Sequence, residues 1–284
     1  MEQLVRLEDR IESLKGLQDL LSAIKAMAAA RVQLAQTALD SVTSYAEVVE
    51  RSISEAASMK TAEHVERSGP ADARNSILVI LCSEHGFCGA FNRLVLERAR
   101  KELGRGEDAA IVGQRGAAIA SGHEIAPAWT LPMATQMEAV LATARSVATK
   151  LDEKDNIRLV FARYRGGMRF EVEVRQILPP RPELFEPQWK CRAPLHHLEP
   201  GRLIHTLIVE LLLAELTLAL TESFASENAA RLQVMQAANQ SIEDKLMRLT
   251  RTSRQLRQDE ITSELLEIVT GSEAVIKAAA LKSG

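Results

Sequence analysis

Three side chains that could do chemistry fall within one short stretch, residues 83–89 (SEHGFCG). Glu84, His85 and Cys88 supply a carboxylate, an imidazole and a thiol there. A cysteine nucleophile needs a histidine within hydrogen-bond reach and a third group that orients the histidine. Nothing in the sequence supplies that geometry. We therefore expect a structural strand-to-helix turn, and keep a thiol or nucleotide enzyme as an alternative.

The remaining motifs are weak candidates for cofactor or metal binding. Residues 113–116 (GQRG) lack the glycine spacing of a Walker loop or a dinucleotide fingerprint, so we expect a plain turn. His196 and His197 are adjacent in a proline-rich connection, without a third ligand. The chain has only three cysteines, too few and too unevenly spaced for a disulfide framework or a zinc site. The sequence predicts no catalytic group, no cofactor and no metal.

The charges and apolar residues argue against two classes of protein. Lys and Arg number 35 and Asp and Glu 38, a net charge of −3, whereas nucleic-acid-binding domains usually have a pI above about 9. The most apolar stretch, residues 203–220, contains Glu210 and Glu215. Each would cost about 2.5 kcal/mol or more at the centre of a bilayer. We expect neither a nucleic-acid binder nor a membrane-spanning helix.

Proline and glycine, the main helix breakers, are concentrated in the middle of the chain. All nine prolines lie between Pro70 and Pro200, and residues 202–270 contain neither proline nor glycine. Ordinary helices average about 11–12 residues, so two stretches of more than about fifty residues predict long helical arms. Because the chain between the arms must leave and return, we expect the arms to pair antiparallel. Burial of both arms in a helical bundle is the alternative.

Apolar residues recur along both arms about every 3.5 positions, which predicts a left-handed coiled coil. In the first arm the pattern predicts a three-residue slip after Leu14 that places Leu17 on the seam. The first seam comprises Leu4, Leu7, Ile11, Leu14, Leu17, Leu21, Ile24, Ala28, Ala35, Val42, Val49 and Ile53. The second comprises Leu207, Leu211, Ala214, Leu218, Thr221, Ala225, Leu232, Met235, Asn239, Ile242, Leu246, Leu249, Ser253 and Leu256.

The insert between the arms changes to strands that alternate with helices, which indicates an α/β domain. Apolar runs predict strands at residues 76–82 and 109–112, and helical patterns cover residues 90–103 and 136–151. Residues 157–164 and 169–178 flank a Gly-Gly turn and predict a hairpin.

Several strings then match one family. Residues 222–231 (ESFASENAAR), 257–265 (RQDEITSEL) and 267–271 (EIVTG) parallel signatures of the gamma subunit of the rotary F-type ATP synthase. Residues 83–92 (SEHGFCGAFN) are similar to that family's SDRGLCGGLN loop. The chain therefore resembles that central-stalk subunit. Glu84-His85 departs from the family's Asp-Arg, a form similar to the divergent alternate branch, some members of which are thought to move sodium.

The resemblance implies a fold of mixed α+β and α/β class: a long antiparallel coiled coil from both termini plus an inserted Rossmann-like α/β domain. The expected boundaries are residues 1–69 and 201–284 for the arms and 70–200 for the globular domain. In the family, three alpha and three beta subunits surround the hairpin and hold the nucleotide sites. The globular domain stands on the membrane rotor ring of c subunits beside the epsilon subunit.

The resemblance also implies contact residues. Arg257, Gln258 and Thr262 match positions that touch the beta subunits near the shaft's upper end. Ile24, Lys25 and the loop around Cys88 match positions near the acidic beta levers, and residues 196–198 (His196, His197 and Leu198) match the foot.

The implied role is a non-catalytic rotor peripheral to the cytoplasmic face of a bacterial cell membrane. The competing class is a coiled-coil scaffold without ATPase partners. It explains the arms but not the specific strings.

Overall fold

The computed structural model describes residues 2–58, 75–185 and 198–282, and the chain divides into two compact units. One unit contains residues 1–25 and 235–284, and the other contains residues 26–234. Helix α1 spans Glu2–Ser58 (57 residues) and helix α5 spans Pro200–Lys282 (83 residues). The long helices predicted from the absence of proline and glycine are confirmed.

The unit of residues 26–234 contains a five-stranded sheet in the order β3-β2-β1-β4-β5. The first four strands in chain order are parallel, and β5 pairs antiparallel with β4. The elements between α1 and α5 are β1 (Ser76–Leu81), α2 (Phe91–Glu102), β2 (Asp108–Val112), α3 (Gln114–Ala120), β3 (Pro127–Leu131), α4 (Val140–Leu151), β4 (Asn156–Tyr164) and β5 (Phe170–Leu178).

The position of strand β1 inside the sheet explains its continuous apolar sequence. All six of its residues are buried, because helices cover both faces of the sheet. Ile77 and Val79 pack on the face that holds α4 and the buried residues of α5. Leu78 and Ile80 pack on the opposite face with α2. The predicted Rossmann-like α/β insert is confirmed.

The predicted hairpin of β4 and β5 is confirmed, but two elements were not predicted. Residues 113–116 do not form a plain turn, because α3 begins at Gln114. Strand β3 was not predicted: it is short, starts with Pro127 and lies at the sheet edge, where proline loses no ladder hydrogen bond. The helix predicted from residue 136 begins as a 3₁₀ turn at Met137 and becomes α4 at Val140.

Within the same unit α1 packs against α5 in antiparallel orientation. Tyr45 donates a hydrogen bond to Glu210, and a small apolar cluster joins Ala46, Val49 and Ile53 of α1 to Leu211 and Ala214 of α5.

The unit of residues 1–25 and 235–284 consists of two antiparallel helical segments. Gln18 donates to Glu243 at 3.3 Å, and Arg257 pairs with Glu8. The earlier residue of α1 thus faces the later residue of α5, which is the antiparallel arrangement. The predicted slip at Leu17 is wrong, since Leu17 is 43% exposed and Gln18 takes the seam position. The heptad repeat therefore continues without a slip. Its seam position at Gln18 is polar, so a pattern of apolar residues could not identify it.

Helix α5 is long and apolar enough to cross a membrane by length and composition, with a window of mean hydropathy 2.0. Half of that window is buried inside the structure, as in the core helix of a soluble protein.

Candidate functional site

The 83–89 loop joins β1 to α2 at the carboxyl edge of the sheet. Ser83 fixes its start: the backbone N–H of Ser83 donates to Asn92 Oδ1 at 2.9 Å, and Asn92 Nδ2 donates to Ser83 Oγ at 2.7 Å. Ser83 Oγ in turn donates to the carbonyl of His85 at 2.9 Å. These bonds lie in the interior and satisfy the polar groups of the turn, so the loop has a defined shape.

Glu84 ties this loop to the segments that follow strands β2 and β3. Its Oε2 accepts hydrogen bonds from the backbone N–H of Gln114 at 3.1 Å and of Met133 at 2.7 Å. This edge of an α/β sheet is where anionic ligands commonly bind to helix N-termini. The chain's own carboxylate occupies these donors, so the geometry does not favour a nucleotide phosphate here.

Cys88 is only 4% exposed and lies beneath the loop. Its Sγ contacts Ser83 Oγ at 3.4 Å, Asn92 Nδ2 at 3.7 Å and the carbonyl of His85 at 3.8 Å. His85 therefore contacts the thiol through its backbone carbonyl. Burial raises the pKa of the Cys88 thiol, which keeps it protonated near neutral pH. This arrangement does not make an activated nucleophile.

A buried ion pair on α5 holds the same loop from the other side. Arg231 Nη2 lies 2.6 Å from Glu227 Oε1, and Arg231 Nη1 donates to Asn228 Oδ1 at 3.0 Å. Arg231 also donates to the carbonyls of Gly86 at 3.2 Å and His85 at 3.5 Å. Burial raises the pKa of Glu227, and Arg231 opposes that rise. We call Glu227, Asn228 and Arg231 the arginine clamp.

The residues just before the clamp bind the end of β4. Ser223 Oγ accepts from the N–H of Ala162 at 3.2 Å, and Ser226 Oγ donates to the carbonyl of Ala162 at 2.9 Å. Glu222 accepts from the N–H of Tyr164 at 2.6 Å. Strand β1 pairs with β4 only as far as Val160, so these side chains replace a missing neighbouring strand. Residues 222–231 thus attach the sheet and its loop to α5.

The later signature strings of α5 have the opposite environment. Residues 257–259 and 261–272 are all exposed. Five of them are large apolar residues with exposed fractions of 52–68%: Ile261, Leu265, Leu266, Ile268 and Val269. Among the described residues these five apolar side chains lie largely outside the packing of their own unit, and an exposed apolar surface of this kind is typical of a partner-binding site.

The predicted contact residues lie in different surroundings. Arg257, Gln258 and Thr262 are exposed, and Arg257 makes a surface ion pair with Glu8. Ile24 and Lys25 are half-buried.

The residues expected at the foot are only partly described. Leu198 is 48% exposed and precedes α5, whereas His196 and His197 lie outside the described residues. Across the described parts of the chain, no group of three or more His, Cys, Asp or Glu side chains could hold a metal ion.

The sequence analysis missed what the 222–231 string does. Cys88, named from the resemblance as a contact of the loop, is buried, whereas Phe87 beside it is 69% exposed. The string itself was visible, but its hydrogen bonds join residues about 60 or more positions apart, from Ser223 to Ala162 and from Arg231 to His85. No local pattern could reveal them.

The comparisons with known proteins agree with one another. The ATP synthase family model matches residues 3–275. The ATP synthase gamma chain of Sorangium cellulosum is 30% identical, over 97% of this chain and 99% of the relative. The chain belongs to the ATP synthase gamma chain family.

Solved structures share the fold at lower identity. A chain of the Euglena gracilis mitochondrial ATP synthase, from its OSCP/F1/c-ring in rotational state 3, aligns with a TM-score of 0.65 and 17% identity. The alignment covers 96% of this chain and 95% of that chain. A chain of the rotor of the same synthase in rotational state 1 gives a TM-score of 0.63 at 14% identity, covering 92% and 99%.

Proposed function

We propose that this chain is the central rotor shaft of a rotary ATP synthase. It couples ion flow through the membrane sector to conformational change at nucleotide sites in a ring of alpha and beta subunits, and contributes no catalytic group itself. Its further partners are the epsilon subunit and the membrane ring of c subunits. It acts as a peripheral subunit at the cytoplasmic face of a bacterial cell membrane.

The proposal rests on one observation: a stretch of α5 matches a family signature although its side chains are exposed. Residues 257–271 match a family signature, yet residues 261–271 are exposed and leave apolar side chains in solvent. Side chains that are exposed in the folded chain are available to contact other subunits. Membership in the gamma chain family identifies those subunits as the alpha and beta ring.

The mechanism requires that the shaft be stiff and asymmetric. Two helices with close packing of small residues resist twisting better than one helix. A single chain inside a ring presents a different face to each beta subunit, so rotation biases each nucleotide site between open and closed states. Arg257, Gln258 and Thr262 are the proposed contacts at the upper end, with Ile24, Lys25 and the 83–89 loop lower on the shaft and residues 196–198 at the foot.

A double substitution, Arg257→Ala with Gln258→Ala, tests these contacts in the assembled complex. We expect ATP-driven ion transport to fall several-fold while the chain keeps its stability, because exposed side chains contribute about 0–1 kcal/mol to folding. Arg254→Ala with Gln255→Ala is a matched control, since it removes the same residue types from exposed positions one turn earlier. Glu8→Gln separates loss of the Arg257 ion pair from loss of the arginine. Wild-type hydrolysis and transport in the first variant would refute the contacts.

A further inference from the structure

Five charged side chains form a continuous network that begins and ends on α5. It runs from α5 to β5, on to β4 and back to α5, through Glu215, Arg175, Glu173, Arg163 and Glu222. The N···O distances of its four links, in that order, are 2.8, 2.7, 3.0 and 3.9 Å. Negative and positive charges alternate, so each link is attractive. We call these five residues the ionic network.

The ionic network lies on the face of the sheet that packs against α5. Phe161 of β4 and Leu216 of α5 belong to one buried cluster. Arg163 is two residues beyond Phe161 and therefore lies on the same face. On α5, Glu215 and Glu222 are two helical turns apart, so they lie on one side of the helix, separated by about 10 Å along its axis. The network thus joins one side of α5 to the sheet at two heights.

The links nearest the core are buried and charged. Glu215 is only 7% exposed, and the guanidinium carbon of Arg175 lies 4.9 Å from the ring centroid of Phe161. Burial alone would raise the pKa of Glu173, but the hydrogen bonds and charges of Arg175 and Arg163 lower it overall. Glu173 is therefore ionised near neutral pH and binds both arginines.

Buried ion pairs of this kind are better explained by register than by stability. The cost of removing charges from water offsets much of their attraction, so such pairs are weak evidence for stability. Their best-attested use is to fix how packed elements align, because a shift leaves a buried charge without its partner. The apolar contacts between α5 and the sheet are non-directional. Rotating α5 by one residue, about 100°, would instead move Glu215 and Glu222 away from their arginines together.

We propose that the ionic network fixes the rotational and axial register of α5 on the sheet, so that torque passes between the α/β domain and this helix without slip. The inference rests on the proposed function, in which α5 must turn with the α/β domain. A rotor needs this register under load, because slip would let ATP hydrolysis proceed without ion transport. The five side chains are thus positioning residues.

Arg175→Met with Glu215→Met separates register from stability. Replacing a buried ion pair by apolar residues of similar size is often neutral for folding, so the thermal midpoint should stay close to that of the wild type. In the assembled complex, the number of ions transported per ATP hydrolysed should fall several-fold, because α5 is no longer held to one register. A lower thermal midpoint with wild-type transport per ATP would show that the network only stabilises the fold, and would overturn the proposal.

Pulsed electron paramagnetic resonance on the full chain measures the register directly. Spin labels are attached at Val209→Cys of α5 and Leu141→Cys of α4, which are 57% and 43% exposed in the native chain. Cys191→Ala leaves only the buried Cys82 and Cys88 as native thiols. The distance distribution should be narrow in this background and broader in the double methionine variant.

Arg165→Met with Glu171→Met is the matched control. It removes a pair of the same residue types, 2.8 Å apart in the same hairpin, with side chains 44% and 66% exposed. Among the ion pairs of the described residues, this pair does not extend to α5. The control should match the wild type in thermal midpoint, transport per ATP and label distances. Equal losses in the control and in the double variant of the network would overturn the proposal.

A second variant keeps the test decisive if the double variant does not fold. Arg163→Met breaks the network at a side chain 40% exposed and leaves the Arg175–Glu215 pair in place. It should broaden the label distances by a smaller amount. Unchanged distances and unchanged transport per ATP in the network variants would overturn the proposal. If the wild-type complex transports no ions, the proposed function fails, whereas the label distances in the chain still test the register.

Discussion

Two strings on one helix, residues 222–231 and 257–271 of α5, differ in what they contact. The first is buried apart from half-buried Glu222, and its polar side chains bind β4 and the 83–89 loop. The second is exposed almost throughout and contacts little of its own chain. The comparison separates two reasons for which a family signature exists. Residues 222–231 stabilise the fold of the subunit, whereas residues 257–271 are exposed and available to contact partner subunits.

The largest effect is expected from breaking the arginine clamp in the first string. Arg231→Met leaves Glu227 buried without its partner and removes the donors of two loop carbonyls. We expect the free energy of unfolding to fall by about 3–5 kcal/mol, measured by denaturant titration. Arg93→Met is the control, because Arg93 and Glu97 form a pair of the same spacing with side chains 58% and 43% exposed. An equal loss in both variants would contradict the clamp's role.

The same variant makes a prediction about pH. In Arg231→Met, Glu227 keeps the burial that raises its pKa and loses the arginine that opposes the rise. A carboxyl whose pKa is higher in the folded state than in the unfolded state disfavours folding at high pH, and this penalty disappears below the unfolded pKa. The deficit relative to wild type should therefore shrink as the pH falls from the raised folded-state pKa of Glu227 towards its unfolded-state pKa, and be smallest below the latter. A deficit independent of pH would show that Glu227 is not the cause.

A smaller loss is expected from Gly116→Ala, which tests the close packing of α3 beneath the 83–89 loop. A Cβ at this position would overlap the side chain of Cys82, so the substitution should cost about 1–3 kcal/mol despite the better helix propensity of alanine. Gly122→Ala has open space around it and should change the unfolding free energy by less than about 0.5 kcal/mol. Equal stability of the two variants would contradict the packing described here.

A gain is expected in the unit of residues 1–25 and 235–284. Asn239 lies on the seam, and its Oδ1 is buried with no hydrogen-bond partner among the residues that the structure describes. Asn239→Leu should raise the stability of the chain by about 1 kcal/mol, because unsatisfied buried polar atoms are costly. Gln240→Leu, at an exposed neighbouring position, should not raise it. A loss of stability in Asn239→Leu would show that the seam needs this amide, as some coiled coils do for register.

The smallest effect is expected from Cys88→Ser. The thiol is buried and protonated, and among the described residues it bonds only to the loop and to Asn92 of α2, so ATPase activity of the assembled complex should be unchanged. Loss of activity with normal assembly would revive the thiol-enzyme alternative.

The sequence predicted the long helices and most of the sheet because proline spacing and apolar runs are local signals. The prediction from sequence failed where a residue's environment depends on an interaction with a residue distant in the chain. Gln18 fills a seam position that apolar periodicity assigned to Leu17, because Glu243 on the other helix accepts its hydrogen bond. Strand β3 starts with proline and exists because β2 lies beside it. Phe87 has a positive φ of 61°, and the carbonyls of the two residues before it accept hydrogen bonds from Arg231, which lies 144 positions beyond Phe87 in the chain and which no local pattern indicates.

Isolation of the complex from gently solubilised membranes, through a tag on this chain, tests the central claim most directly. The account predicts alpha and beta subunits at three copies each per copy of this chain, together with ATPase activity in the same sample. Stimulation by sodium would place the complex in the alternate branch. A homo-oligomer of this chain without alpha and beta subunits would contradict the rotor and leave the coiled-coil scaffold.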